Sequence, residues 1–323
     1  MTGYEAFIDY VKKWKPTIDA AIMGSFEPWR KDGLLELHEW AKSYFLAGGK
    51  RLRPALVLLG AKEAGGNEED VVKLAAAVEI LHNFTLIHDD IMDKSDYRRG
   101  KPTLYKVAGI DLAINVGDAL FSKAFSLAAD YGGAVAKKFA DTTTIIVEGQ
   151  DMDVRWSHKH GWLPSEDEYV EMVRRKTSVL LGSSLELGFM AVTGKENPAL
   201  NRYGEALGVA FQIIDDILGI FGDPKKMGKD ADKDIQEGKR SLPILWAIKK
   251  HSEGKKMLQV LDKDTKTPED IEWVKRVVRE SGAVEYCMKR AREWVDKASY
   301  PFKDKEVEKY LEGFKMFIIE REF

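Results

Sequence analysis

Apolar residues recur every three to four positions along most of the chain, and hairpin signals are nearly absent. Met1 to Ala21 has the pattern of an amphipathic helix, with Tyr10, Val11, Trp14 and Ile18 among its apolar positions. Leu34 to Ala47 is a second candidate, stopped by Gly48-Gly49, which can take the positive φ of a C-terminal cap. Pro54 fits the first position of the next helix, which runs to Gly65-Gly66. Val71 to about Met92 is long and strongly apolar, and Ala108 to Asp130 and about Val135 to Val154 continue the pattern. Trp156 to Pro164 reads as a loop, leaving His158 and His160 as loop histidines. Ser165 and Glu168 then make a capping box for a helix reaching Val192. Another helix follows Pro198 and runs to Phe221, Gly222 to Ser241 is a charged loop, and Thr267-Pro268 caps a helix ending near Gly282.

Many helices without strands, joined by short loops and with no repeat, predict an all-α bundle in a single domain, 1–323. An apolar fraction of 44% supports a substantial core, and 32% charged residues a well-solvated surface. Rich Lys and Glu usage with one cysteine suits high temperature. The net charge of −3 argues against a nucleic-acid partner. Cys287 stands alone, so there is no disulfide framework and no cysteine metal site, and it reads as a buried structural thiol. There is no signal-peptide core and no run near the roughly 18 apolar residues of a membrane span, so a cytoplasmic chain is expected.

The chemistry sits in two acidic clusters. In His88-Asp89-Asp90-Ile91-Met92-Asp93, Asp89 and Asp93 lie one helical turn apart on one face. Their repulsion disfavours the bare helix, and a bound cation reverses that effect; hard carboxylate oxygens suit Mg²⁺. The bland alternative is a solvated acidic helix end. Phe211-Gln212-Ile213-Ile214-Asp215-Asp216 repeats the arrangement on another apolar helix. Two such pairs in hydrophobic sequence are hard to explain as surface decoration, because buried carboxylates need ions or cationic groups to meet them. The two helices are expected to face one another across an apolar cleft.

Gly48-Gly49-Lys50-Arg51-Leu52-Arg53-Pro54 sets cations at a glycine-opened helix start, which is either an ordinary charged loop or an anion site. Arg98-Arg99-Gly100 follows the first acids, and Lys176-Thr177, Lys229 and Lys239 add cations near the second. Acids that hold metal beside bases that hold phosphate describe a diphosphate site.

These motifs, with His82, Lys101-Pro102-Thr103, Asn115-Val116-Gly117-Asp118, Gly149-Gln150, Gly228 and Gly238, resemble the trans-isoprenyl diphosphate synthase family from about Gly48 to Ser241. Within the family it resembles archaeal-type geranylgeranyl and farnesyl diphosphate synthases. The resemblance implies the all-α isoprenoid synthase helical bundle, a homodimer, and Mg²⁺ as cofactor with three ions per active site. Asp89 and Asp93 would hold metal with Asp90 assisting, and Asp215 would add an ion with Asp216 in support. Arg98, Lys176, Lys229 and Lys239 would grip the allylic diphosphate, while Lys50, Arg53, His82 and Arg99 would hold isopentenyl diphosphate. Thr177 and Gln212 would face the developing cation. Gly219 departs from the pattern, since many members carry a third aspartate there, and Arg321 is only a loose match to a tail arginine.

The implied reaction is head-to-tail condensation without a side-chain nucleophile, which suits a chain with no convincing Ser/His/Asp or Cys/His arrangement. Phe84, about 7.5 Å along the axis behind Asp89, and Leu81, about 12 Å behind, would wall the tail pocket. Family members use bulky residues there as a floor. Phe84 is large and Thr85 small, and one aromatic rather than two favours a C20 product, with C15 the near alternative. A class I terpene cyclase is the nearest rival, but it has no second diphosphate for Lys50, Arg53 and His82 to bind. A His88-Asp89 phosphohydrolase lacks other spaced histidines, and a regulatory subunit should have lost metal ligands that are present here.

Overall fold

Positive-φ glycines such as Gly48, Gly65, Gly194 and Gly282 follow several helices, and Ser165 and Thr267 cap helix starts with their side chains. The structure is a computed structural model that describes residues 3–26, 35–222 and 232–320. In chain order it runs α1 (Gly3–Gly24), α2 (Leu35–Leu46), α3 (Leu52–Glu63) and a 3₁₀ turn (Glu68–Val71) into α4 (Val72–Met92). A hairpin, β1 (Tyr97–Arg98) and β2 (Lys101–Pro102), leads to α5 (Leu104–Ala108), α6 (Ile110–Ala129) and α7 (Gly133–His158). Then come α8 (Glu166–Val173), a π-helical turn (Arg174–Ser178), α9 (Val179–Thr193) and α10 (Pro198–Phe221). The chain closes with α11 (Lys233–Gln236), α12 (Leu242–Lys250), α13 (Gly254–Leu261), α14 (Pro268–Glu280), α15 (Ala283–Lys297) and α16 (Lys305–Ile319).

Two compact units divide these elements. The first comprises Met1–Thr142, Leu180–Arg202 and Tyr300–Met316. Its centre is α4, packed on α1, α3 and most extensively on α6. Leu74, Val78, Ile80 and Leu81 are all 0% exposed there, each burial contributing about 1.5–3 kcal/mol. Phe7 packs on Phe314 and Tyr10 on Tyr310, tying α1 to α16. The second unit comprises Thr143–Val179, Tyr203–Ser299 and Phe317–Phe323. One of its apolar clusters joins Ile220 of α10, Ile235 of α11, Ile244 of α12, Met257 of α13 and Val274 and Val278 of α14.

Both expected capping boxes are present, Ser165 with Glu168 and Thr267 with Asp270. Other boundaries differ for local reasons. Pro54 lies inside the first turn, because α3 starts at Leu52 behind a left-handed Arg51. The segment from Ala108 to Asp130 is broken at Gly109, whose φ is 89°. Helix α7 continues to His158, so that histidine ends a helix rather than lying in a loop. The stretch from Ser165 to Val192 is helical but carries the π-turn. Strands are present after all: β1 and β2 pair antiparallel around Arg99 (φ 53°) and Gly100 (φ 73°), the two positive values a tight hairpin turn needs.

The expectation that no segment has the length and apolarity of a membrane span is also corrected. The stretch Glu68–Met92 and helix α6 both reach that length and hydropathy. The first is a core helix, 67% buried in its most apolar window, which explains its composition. Helix α6 is only 33% buried and shows Leu112 and Ile114 at its surface. Cys287 is fully buried, and burial pushes its thiol well up, as befits an inert structural residue.

Candidate active site

In the first unit the acids and cations converge at the C-terminal end of α4. Asp89 is in its last turn and Asp93 is the capping residue, so the two carboxylates stay one turn apart. Asp90 points inward at 1% exposure and accepts hydrogen bonds from Arg98 Nε at 2.7 Å and Tyr44 Oη at 3.3 Å. Arg98 also reaches Asp89, with 3.7 Å between Nη2 and Oδ2. Burial opposes the Arg98 charge, but Asp90 above all, with Tyr44 and Asp89, raises it above the ordinary guanidinium range. The middle aspartate therefore holds an arginine in place.

The glycine-opened loop divides its cations. Gly48 and Gly49 have φ of 97° and 147°, conformations open to glycine. They turn the chain so that Arg51 goes inside at 3% exposure, pairing with Glu79 at 2.8 Å and Asp19 at 2.6 Å, while Lys50 stays at the surface. Arg53 Nη1 lies 3.3 Å from His82 Nε2. Burial, and then the charges of Arg53 and Arg99, hold His82 well below its usual value, so a neutral ring can accept from Arg53. Arg99 donates to the Gly48 carbonyl and lies 3.3 Å from Asn83 Oδ1. Arg53, His82 and Arg99 thus share one polar patch.

Ahead of the acids, Leu81 is fully buried. The Phe84 ring meets His88 edge-on at 4.8 Å and Phe121 at 5.4 Å, and Phe121, Phe125 and Phe139 continue the aromatic row. Thr85 bonds back to the His82 carbonyl at 2.8 Å.

In the second unit the π-turn carries Lys176 and Thr177. Helices α7 and α10 approach it through glycine: a Cβ at Gly149 would strike the Lys176 backbone, and one at Gly208 would strike Ser178. Lys176 Nζ pairs with Asp153 at 2.6 Å. Thr177 Oγ1 donates to Gln212 Oε1 at 2.9 Å, and Gln212 Nε2 donates to Asp216 Oδ1 at 2.8 Å. The other Asp216 oxygen accepts from Tyr169 Oη at 2.7 Å. Burial pushes Asp216 up to about 7, with Gln212 and Tyr169 pulling down and the charges of Asp234 and Asp215 adding to the rise. Asp215, one residue earlier, is half-buried.

At the departure noted above, a Cβ on Gly219 would meet the Asp234 carboxylate, so an acid from α11 stands beside that position. Lys239 pairs with Glu237 at 3.0 Å and Asp234 at 3.5 Å. Beside it Arg240, 2% exposed, donates to Gly238 O at 2.6 Å and Trp162 O at 3.1 Å and pairs with Asp262, pinning the Lys239 loop. Lys229, Gly228 and Arg321 lie outside the described residues.

Among the described residues no three acids or histidines form a ready-made metal cluster. The donor chemistry still fits Mg²⁺, which takes one or two carboxylates and completes its shell with water and phosphate oxygens. The functional residues that sequence missed are the buried partners: Tyr44, Asp153, Tyr169 and Arg240. Of these only Tyr169 carried a signal, standing seven residues, about two turns, before Lys176.

A predominantly helical architecture with two aspartate-rich helix segments, the first beside Arg98, is of the isoprenoid synthase type. The polyprenyl synthetase family model matches residues 35–278. A geranylgeranyl diphosphate synthase of Saccharolobus solfataricus is 37% identical over 310 residues, covering 90% of this chain and 92% of that protein. A geranylfarnesyl diphosphate synthase of Aeropyrum pernix is 36% identical, covering 85% of this chain and 91% of that protein. The crystal structure of a geranylgeranyl pyrophosphate synthetase from Pyrococcus horikoshii superposes with a TM-score of 0.86 at 31% identity, covering 99% of each chain. The chain belongs to the polyprenyl synthetase family, the trans-isoprenyl diphosphate synthases.

Proposed function

We propose that this prenyltransferase condenses isopentenyl diphosphate head to tail with dimethylallyl, geranyl and farnesyl diphosphates, releasing diphosphate and ending at geranylgeranyl diphosphate. The observation that carries the reading is that Arg98, a cation suited to diphosphate, pairs with Asp89 and Asp90 of the first aspartate-rich motif, while the unit of Asp215 holds Lys176 and Lys239. The family match runs through segments of both units, which supports treating the chain as one catalytic domain.

Asp89, Asp93 and Asp215 are the metal ligands in this reading. Bound Mg²⁺, three ions in all, supplies Lewis-acid stabilisation of the leaving diphosphate. Arg98, Lys176 and Lys239 hold the allylic diphosphate and meet the charge that grows on it as the C–O bond breaks. Lys50, Arg53, His82 and Arg99 hold the second diphosphate, with neutral His82 presenting a ring nitrogen rather than another charge. Thr177 and Gln212 face the allylic cation. The isopentenyl double bond attacks that cation, and the released diphosphate takes the final proton.

Phe84 supports the C20 limit as the one Phe, Tyr or Trp within two turns ahead of Asp89. The exposed Val107, Ile110, Leu112 and Ile114 around the start of α6 support a homodimer, since so apolar a face suits a second copy of the chain. Light scattering on Leu112→Glu/Ile114→Glu should show a monomer where the parent is a dimer. The decisive assay incubates the purified chain with Mg²⁺, isopentenyl diphosphate and each allylic primer. A C20 prenyl product is expected. A C15 or C25 end point would move the length limit, and no chain extension from any primer would overturn the proposal.

A further inference from the structure

We infer that Tyr169 is a positioning residue for condensation, setting the hydroxyl of Thr177 through Asp216 and Gln212. The inference rests on the prenyltransferase reading, in which Thr177 faces the allylic cation.

The four side chains form one unbroken chain of hydrogen bonds. Tyr169 Oη donates to Asp216 Oδ2, Gln212 Nε2 donates to Asp216 Oδ1, and Thr177 Oγ1 donates to Gln212 Oε1. Direction matters. An amide can be turned either way, and its two ends differ in sign. With Asp216 accepting at both oxygens, the amide nitrogen must face it and the amide oxygen must face Thr177. Thr177 then spends its only proton on Gln212 and leaves lone pairs for whatever lies on its other side. A positive carbon is attracted by lone pairs and repelled by a hydroxyl proton, so this direction suits a cation and the reverse opposes it.

The anchor is at the far end. Tyr169 is fully buried and Asp216 is 7% exposed, so water is a poor substitute for the phenol. The ring stands on α8, before the π-turn, and its hydroxyl is spent on Asp216 rather than on any group assigned to a substrate. The close backbone approach at Gly208 keeps α10 against that turn, so the Thr177–Gln212 bond joins two elements already fixed relative to each other.

Tyr169→Phe removes the hydroxyl and keeps the ring. The expected result is a kcat about tenfold lower, with KM for both diphosphates within about twofold of the parent. The reading that separates positioning from packing is a double-mutant cycle with Thr177→Val. In that background Tyr169→Phe should change kcat by less than about twofold, because the group it acts on is gone. Thr177→Ser keeps the hydroxyl and should preserve the tenfold loss. Equal losses in the Thr177→Val and parent backgrounds, or a loss confined to KM, would overturn the inference. Should Tyr169→Phe fail to fold, Asp216→Asn run through the same backgrounds reads the same coupling from the middle of the chain, and additivity there overturns it equally. A parent enzyme that extends no primer would instead remove the functional reading itself.

Discussion

The two aspartate pairs look alike in sequence and differ in how they bury their second acid. On α4, Asp90 meets a full positive charge: Arg98 lies 2.7 Å away and is itself raised by the pairing. On α10, the hydrogen-bond partners of Asp216 among the described residues are neutral, the Tyr169 hydroxyl and the Gln212 amide, and burial pushes it up to about 7. A charge partner keeps a buried carboxylate ionised, whereas neutral donors soften its desolvation without cancelling it. The first pair therefore fixes a guanidinium, and the second anchors a polar chain that ends at Thr177. In both, the less buried neighbour, Asp89 or Asp215, is the acid that the proposed function gives to metal.

The largest effect expected is on those neighbours. Asp89→Ala and Asp215→Ala should each lower kcat by about 10³-fold or more with the fold intact, and removing Mg²⁺ with a chelator should abolish turnover. Initial-rate assays on both variants test the symmetry of the comparison. A loss below about tenfold for Asp215→Ala alone would confine the metal role to the first pair.

Next come the buried acids, where the comparison predicts a difference. Asp90→Asn takes from Arg98 its shorter ion pair, leaving Asp89 at 3.7 Å, and should cost about 3 kcal/mol of stability in urea unfolding. Asp216→Asn keeps an acceptor for one of its two donors and breaks no ion pair among the described residues, so it should cost about 1 kcal/mol or less. Equal costs would mean that the distinction between charge and dipole has no energetic content.

A third contrast concerns what precedes each pair. Five residues before Asp89 stands Phe84, and five before Asp215 stands Ala210. Phe211 stands one residue nearer to Asp215, so the contrast is confined to the position five residues ahead, where only α4 carries a ring. Phe84→Ala should lengthen the main product by about one isoprene unit, since each added turn of pocket is about 5.4 Å deep. Chromatography of the dephosphorylated products measures it, and an unchanged chain length would leave Phe84 as a packing residue in the row with Phe121 and Phe125.

Much of this was legible in sequence because it depends on local spacing. The period of apolar residues, Ser165 with Glu168 and Thr267 with Asp270 gave most helices to within a few residues. The acids, Arg98, His82 and Lys176 stood out because so many charged groups in apolar runs need partners. What stayed hidden was who those partners are. Arg51 and Arg53 are indistinguishable in sequence, yet one turns inward to Glu79 and Asp19 while the other meets His82. The π-turn was invisible because one extra residue in a helix leaves no compositional mark; only the tight packing at Gly149 and Gly208 reveals why it is held there. Tyr44 and Tyr169 read as ordinary core aromatics until their hydroxyls are seen to end on Asp90 and Asp216.

The smallest expected effect tests how the π-turn is braced. Glu171 of α8 accepts from Arg174 Nε at 2.8 Å and Arg175 Nε at 2.6 Å, both in the turn that carries Thr177. The Arg174 bond first, and then Arg175, outweigh burial and lower Glu171 to about 2. Because the folded value lies below the unfolded one, this contribution is complete above about pH 4.5 and fades as pH falls toward 2. The side chain is 39% exposed, so solvent screening limits the contribution to about 0.5 kcal/mol. Glu171→Gln should therefore lower stability slightly at pH 7 and leave it unchanged near pH 2, as read by urea unfolding at both. A variant equally destabilised at both values would show that Glu171 supports the turn by shape rather than charge. Both the turn and the Asp216 end of the chain would then be held without ion pairs, leaving the Arg98–Asp90 pair to mark off the first site more sharply.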